Sequence, residues 1–194
     1  MKLFKASTLL LSIIFFASCA GQPEAQEEGD MSASTNNMSN SAEDITELVS
    51  VLHPTMGNSV NGVVRFFQTD EGVRVVAEIN DLAPNSTHGF HIHQYGDCSA
   101  LDGTSAGGHF NPQDTQHGGP DSEERHVGDL GNITVDENGF AELDKVDPML
   151  SLNGPNGIIG RGIIVHAGED DLESQPTGAA GARLSCGVIG VAQQ

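Results

Sequence analysis

Residues 72–81 read GVRVVAEIND, with Val73, Val75, Ala77 and Ile79 on one parity and Arg74, Val76, Glu78 and Asn80 on the other. Successive side chains of an extended chain point to opposite faces, so this period of two describes a strand with one face buried and the other mostly wet. Short runs rich in β-branched residues recur at ITELVSVL (45–52), VNGVVRFFQ (60–68), THGFHIHQ (87–94), VGDLGNITV (127–135), GFAELDKV (139–146), GIIGRGIIVHA (157–167) and RLSCGVIGV (183–191). Turn chemistry separates them: PTMGNS, TDEG and DENG suit hairpins, and LAPNS suits a corner. Helical periodicity is almost absent. The expected fold is therefore all-β, an eight-stranded antiparallel barrel or sandwich. Two long glycine-rich segments, 95–126 and 167–182, interrupt the strands, and structureless segments of that length in a compact domain usually carry function.

The ends of the chain are unlike its body. Residues 1–19, MKLFKASTLLLSIIFFASC, place Lys2 and Lys5 before an apolar run and small residues, the layout of an export signal too short for a comfortable membrane span. Their last four, FASC, resemble a bacterial lipobox, which makes Cys19 the expected lipid-bearing residue; Phe16 stands where that motif prefers an aliphatic side chain, and ordinary signal cleavage nearby is the alternative. Residues 20–44 hold no aromatic or β-branched aliphatic residue and are rich in Ser, Asn, Glu and Gln, so they cannot bury enough surface to offset ordering and read as a polar, acidic tether. One domain, 45–194, follows.

Formal net charge is −19, and without the two leader lysines the chain carries six Lys and Arg against 27 Asp and Glu, or −21. A basic face for nucleic acid is excluded by that balance. With Cys19 at the leader junction, Cys98 and Cys186 are the remaining pair, and an exported chain is expected to oxidise them. Closing that interval would stabilise the fold by roughly 4 to 5 kcal/mol in the chain-entropy description.

The chemistry concentrates in histidine. His91 and His93 sit two apart in a strand run and so share a face, close enough to share one ion. Together with His109, His117, His126 and His166 they occupy strand ends or the first long segment, and Asp129 follows His126 by three. Zinc and copper favour imidazole nitrogen, and zinc accepts a carboxylate. Six histidines and an aspartate exceed the needs of one four-coordinate ion, while two sites sharing a ligand would use all seven. His53, before a proline, reads as a solvated turn residue, and His88 as a structural histidine bonded to backbone.

The motifs GFHIHQYGD, GGHFNP, HGGP, RHVGDLGN, IIGRGIIVH and GARLSCGVIGVAQ, in that order, resemble the copper/zinc superoxide dismutase family over the whole body of the chain. The resemblance implies a Greek-key barrel with one copper and one zinc per subunit. It assigns copper to His91, His93, His109 and His166, and zinc to His109, His117, His126 and Asp129, with His109 bridging. Asp170 matches an aspartate that hydrogen-bonds one histidine of each metal, Arg183 a cation that guides the anion, and Thr177 a wall of the substrate channel. The implied reaction is dismutation: Cu(II) oxidises one superoxide to dioxygen and Cu(I) reduces a second to hydrogen peroxide. By the same resemblance His109 is expected to leave copper on reduction, take a proton on the freed nitrogen and pass it to the product.

Two departures from the better-known eukaryotic pattern stand out. The segment between His166 and Arg183 is shorter and has no lysine, so long-range steering of the anion is expected to be weaker. Cys98 lies nearer the His91/His93 pair, as in bacterial members, whereas HGGPDSEERHVGDLGN is eukaryote-like. Tyr95, Gly96, Ile159, Val188 and Gly190 match the eukaryotic-type dimer interface, which favours that homodimer over a monomer or the other bacterial dimer. The expected setting is the bacterial cell envelope on the periplasmic side, with membrane contact only through the lipid on Cys19. A non-catalytic copper- and zinc-buffering lipoprotein is the main alternative, since it needs the same ligands but not Arg183. A structural or adhesive sandwich that kept ancestral ligands would be expected to have lost one, and none is missing.

Overall fold

The strand alternation read in residues 72–81 is realised in a computed structural model that describes residues 45–193. The residues read as an export leader, with Cys19, and as a tether at 20–44 lie outside the described residues. In β3 (Gly72–Asn80), Val73, Val75, Ala77 and Ile79 are buried while Arg74, Glu78 and Asn80 are exposed. β1 (Glu47–Pro54) and β2 (Asn61–Thr69) complete an antiparallel meander with β3, in a register that sets Phe66 opposite both Leu48 and Val75 and so stacks inward side chains. The chain then crosses to β4 (Thr87–His93) and β5 (Asp129–Thr134), returns to β6 (Ala141–Asp147) beside β3, and ends with β7 (Gly162–His166) and β8 (Arg183–Val188). The spatial order is β5-β4-β7-β8-β1-β2-β3-β6.

The barrel is nearly closed. An antiparallel bridge between Val135 and Ala141 joins the β5 edge to the β6 edge, and the pairs His53–Cys186 and Pro54–Ser185 join β1 to β8. Strands β4, β5 and β6 are consecutive and β3 lies beside β6, which is the Greek-key arrangement.

Three details differ from the pattern read in the sequence. The run 183–191 divides at Ile189 into β8 and a two-residue strand, β9 (Gly190–Val191), which pairs with β1. The run 157–167 is a strand only from Gly162, although Ile158 is fully buried in the core. His53 lies in β1 rather than in a turn, and it is exposed as expected.

Strands β4 and β7 are buried on both faces. Phe90, Ile92, Ile163 and Val165 belong to the main core. Their alternates, His91, His93, Ile164 and His166, occupy the outer face of the same sheet, yet all are buried. Two long segments make this happen. The first, 94–128, contains a single 3-10 turn, Thr104–Ala106, and the second spans 167–182 between β7 and β8. The Cys98–Cys186 disulfide ties the first segment to β8, with Cα atoms 5.8 Å apart. Gly128 allows the returning end of that segment to lie against β4, because a Cβ there would run into the Ile92 carbonyl. The outer face of β4 and β7 thereby becomes a second, polar interior.

Candidate metal centre

Strand register places the first members of the site. Asp129 stands opposite His91 across β4 and β5, and Arg183 stands opposite His166 across β7 and β8. A backbone bridge between His93 and His109 draws the first long segment over β4. The imidazole rings of His91, His93, His109 and His166 converge, with His91 and His109 centroids 4.1 Å apart and His93 and His166 centroids 5.3 Å apart. His109 also meets His117 at 5.3 Å and His126 at 5.5 Å. Ligand atoms lie within 4.8 Å of one another in each of two groups, His91/His93/His109/His166 and His109/His117/His126/Asp129. All seven residues predicted as ligands are brought together, and His109 belongs to both groups.

One nitrogen of most of these rings is committed to a fixed acceptor. His93 Nδ1 donates to the Gly107 carbonyl at 2.9 Å, and His166 Nδ1 to the Gly181 carbonyl at 3.2 Å. His91 Nε2 and His117 Nε2 donate to the two oxygens of Asp170, at 2.8 and 2.9 Å. His109 Nδ1 lies 2.7 Å from Asp129 Oδ1. What is left over points inward. His91 Nδ1, His109 Nε2 and His117 Nδ1 are buried and make no hydrogen bond, although His117 Nδ1 comes within 3.0 Å of Asp129 Oδ2. A buried unpaired nitrogen is costly unless a ligand uses its lone pair, and fixing one ring nitrogen to present the other is how proteins orient metal-binding imidazoles. The donor set, imidazoles throughout one group and imidazoles with a carboxylate in the other, fits copper and zinc.

Electrostatics match that use. Burial pushes His109 down to about 4 and His166 down to about 3, and pushes His93 well below its ordinary value, so these rings are neutral at pH 7. His117 behaves oppositely: burial lowers it, but the Asp129 and Asp170 carboxylates win and raise it to about 9. Burial would raise both carboxyl groups, yet the surrounding imidazoles hold Asp129 and Asp170 below the ordinary range.

Asp170 is held in turn by Asn132 on β5. Asp170 N–H donates to Asn132 Oδ1 and Asn132 Nδ2 donates to the Asp170 carbonyl, each at 2.8 Å. Gly178, at φ +62°, lets the second segment pass over this carboxylate, where a Cβ would collide with Asp170 and His117. Thr177 is half-buried beside it. The Arg183 guanidinium donates to the carbonyls of Gly103 and Gly107. Gly107 O therefore serves both Arg183 and His93, and burial lowers the arginine pKa while nearby Asp102 opposes that shift. His88 is buried, and its Nδ1 donates to the His166 carbonyl at 2.8 Å, in keeping with its expected structural part. Asn132, Gln175 and the carbonyls of Gly107 and Gly181 were not picked out from the sequence. Asn132 lies inside the VGDLGN motif, but nothing in that motif says which neighbour its amide serves.

Comparison with known proteins is decisive. Residues 60–189 match the family model for copper/zinc superoxide dismutase. The chain belongs to the copper/zinc superoxide dismutase family. It is 42% identical over its full length to the Cu-Zn superoxide dismutase of Paramecium bursaria Chlorella virus 1, covering 98% of that protein. It is 46% identical to the extracellular Cu-Zn superoxide dismutase of Brugia pahangi, over 74% of this chain and 75% of that one. The Saccharomyces cerevisiae Cu-Zn superoxide dismutase is 46% identical, over 76% of this chain and 99% of that protein. Among solved structures, the clock protein EA4 superposes with a TM-score of 0.70 at 41% identity, covering 76% of this chain and 95% of that one. As a member of this family the chain is an oxidoreductase whose cofactors are copper and zinc.

The raised pKa of His117 has a measurable consequence. His117 carries a proton below about pH 9 in the metal-free protein, and a divalent ion in its group must displace that proton. Titrating zinc into metal-free protein at pH 7 should release about one proton, and the release should vanish as pH rises through about 9. Calorimetry in buffers of different ionisation heat reads this directly. Proton-free zinc uptake at pH 7 would contradict the raised His117 pKa.

Proposed function

We propose that this chain dismutates superoxide in a bacterial envelope, with copper held by His91, His93, His109 and His166 and zinc by His109, His117, His126 and Asp129. The observation that carries the assignment is His109, whose Nδ1 faces Asp129 while its Nε2 is buried, unpaired and turned to the other histidines. Copper, when bound, supplies the one-electron oxidation and reduction, whereas zinc does not change oxidation state.

The chain's own residues supply the rest. Asp170 orients His91 in one group and His117 in the other, so the two groups share one acceptor as well as one imidazole. His109 Nε2 is the proposed proton carrier: with Nδ1 directed to Asp129, this buried and unpaired nitrogen is the position of the ring that can take up a proton and pass it to the forming peroxide. Arg183 is the proposed anion guide. Its charge is anchored through the Gly107 carbonyl that also fixes His93, which sets it beside the copper group. Thr177 is proposed to line the approach.

Arg183 distinguishes this reading from metal buffering, which needs no anion guide. Arg183→Ala should lower superoxide consumption by roughly 10- to 100-fold while copper and zinc content stay unchanged. Pulse radiolysis beside metal analysis tests both halves, and undiminished activity would remove the guide role. A zinc-only preparation of the unaltered protein should be inactive.

Export is supported by the Cys98–Cys186 disulfide, a bond typical of oxidising compartments, and by the relative from Brugia pahangi named as extracellular. In this reading residues 1–19 form a leader segment cut just before its last residue, Cys19, which stays on the mature chain and carries lipid, and 20–44 is the tether. The intact mass of membrane-extracted protein should equal the chain from Cys19 plus acyl groups, and an unmodified N-terminus would defeat the anchor.

A homodimer is proposed through the face around Tyr95, Gly96, Ile159, Val188 and Gly190. Tyr95 is 53% exposed, Val188 45% and Ile159 38%, and exposed Val51 and Val191 add to this apolar surface. Gly96 lies hard against Val188 and the Gly160 carbonyl, so these corners form one surface. Sedimentation should give a dimer for the unaltered protein and a monomer for Val188→Glu. A monomeric unaltered protein would end the proposal.

A further inference from the structure

The second long segment, 167–182, contains a device that keeps it in place. Residues 171–178 form a closed turn: Asp171 N–H donates to the Gly178 carbonyl at 2.9 Å, and Gly178 N–H to the Ser174 carbonyl at 2.7 Å. Asp171 Oδ1 accepts from the N–H groups of Glu173 and Ser174, at 3.0 and 2.8 Å. From this turn the Gln175 side chain reaches back to the first segment. His117 N–H donates to Gln175 Oε1 at 2.8 Å, and Gln175 Nε2 donates to the His117 carbonyl at 2.9 Å.

The two complementary bonds fix the orientation of the amide and satisfy both backbone groups of a residue that belongs to no strand. A third bond, from His117 Nε2 to Asp170 Oδ1 at 2.9 Å, goes to the residue just before this turn. His117 is thus gripped by its N–H, its C=O and its ring, all from residues 170–175. Remove the amide and the His117 backbone loses both of its partners, leaving the ring to Asp170 and Asp129 and the chain to the neighbouring Gly118 N–H bond to Asp129. Gln175 is exposed and belongs to no hydrophobic cluster, so its replacement leaves the core packing intact.

We propose that Gln175 is a positioning residue for the zinc group: its amide clamps the His117 backbone so that closure of the second segment and retention of zinc are one event. This rests on the assignment of zinc to His109, His117, His126 and Asp129. The clamp acts only on His117, which the copper group does not use, so its loss should separate the two metals.

The test compares unaltered copper- and zinc-loaded protein with Gln175→Ala and Gln175→Glu. Zinc release to a chelator and hydrogen exchange at the His117 amide are measured in each. Zinc should leave Gln175→Ala about tenfold faster, the lower end of what losing an outer hydrogen-bond partner of a ligand does. Copper release should be unchanged. Exchange of the His117 amide should accelerate in Gln175→Ala but stay protected in Gln175→Glu, which keeps the acceptor and loses only the donor. Equal zinc release from Gln175→Ala and the unaltered protein would overturn the proposal. Equal acceleration for both metals would also overturn it, because it would mean general loosening. If His117→Ala holds zinc as tightly as the unaltered protein, the zinc assignment itself fails, and the role of Gln175 falls with it.

Discussion

One imidazole shared by two groups is the constraint to which the rest of the structure answers. His109 must present nitrogen on both sides of its ring while buried, which leaves no atom of that ring free to be satisfied by solvent. Its position is therefore set from outside, by the backbone bridge to His93 and by the carboxylate of Asp129. Asp129 in turn accepts from the backbone N–H groups of His126 and Gly118, at 2.9 and 3.2 Å, and so fixes the path of the segment that carries His117. The burial that makes the site dry also makes each misaimed nitrogen expensive, so every orienting bond is required by the same desolvation that drives metal binding.

Most of those orienting groups belong to the two long segments and not to strands. Gly107 and Gly181 contribute carbonyls, and Asp170 contributes both carboxylate oxygens. A barrel alone would leave His91, His93 and His166 on a wet outer face with mobile rings. The disulfide at one end and the Asn132–Asp170 pair at the other hold the segments against the sheet. Stability and function are coupled here through loop order, because the bonds that keep the segments closed are the ones that aim the ligands.

This division explains what could be read from the sequence. Alternation in β3 was legible because its outer face is wet, and GFHIH was legible as a same-face histidine pair because strand side chains two apart share a face whether or not that face is wet. GIIVH was legible as a strand run from its β-branched residues but not in which side chain faces which way, since both faces of β7 are buried and a continuous apolar run carries no period. Ile158 misled for a related reason: it fills the core from an irregular segment, and hydrophobicity alone does not separate that from a strand. The two-residue β9 left no signal, because Gly190 and Val191 change strand partners without changing composition. In the site, residue type and motif order marked the seven converging groups and Asp170. Asn132 and Gln175 act through amides that any loop could carry, and the carbonyls of Gly107 and Gly181 have no side-chain signature at all.

The charge balance follows from the same economy of placement. Of six basic residues in the described domain, Arg65, Arg74 and Arg125 are paired with Glu47, Asp144 and Asp147. Arg161 lies over the Phe110 ring, its guanidinium carbon 4.1 Å from the centroid, and donates to the Gln94 carbonyl. Lys145 lies close to Asp147 and Asp121, both of which raise its pKa against the burial that lowers it. Arg183 instead takes two neutral carbonyls as its partners, so its charge is positioned without being cancelled by a carboxylate in direct contact. A carbonyl orients a guanidinium and leaves its field outside largely intact, whereas a bidentate carboxylate would quench it. In a chain of strongly negative net charge, the anion guidance proposed for Arg183 would have to be short-ranged and local to the site, and its neutral anchoring would preserve it.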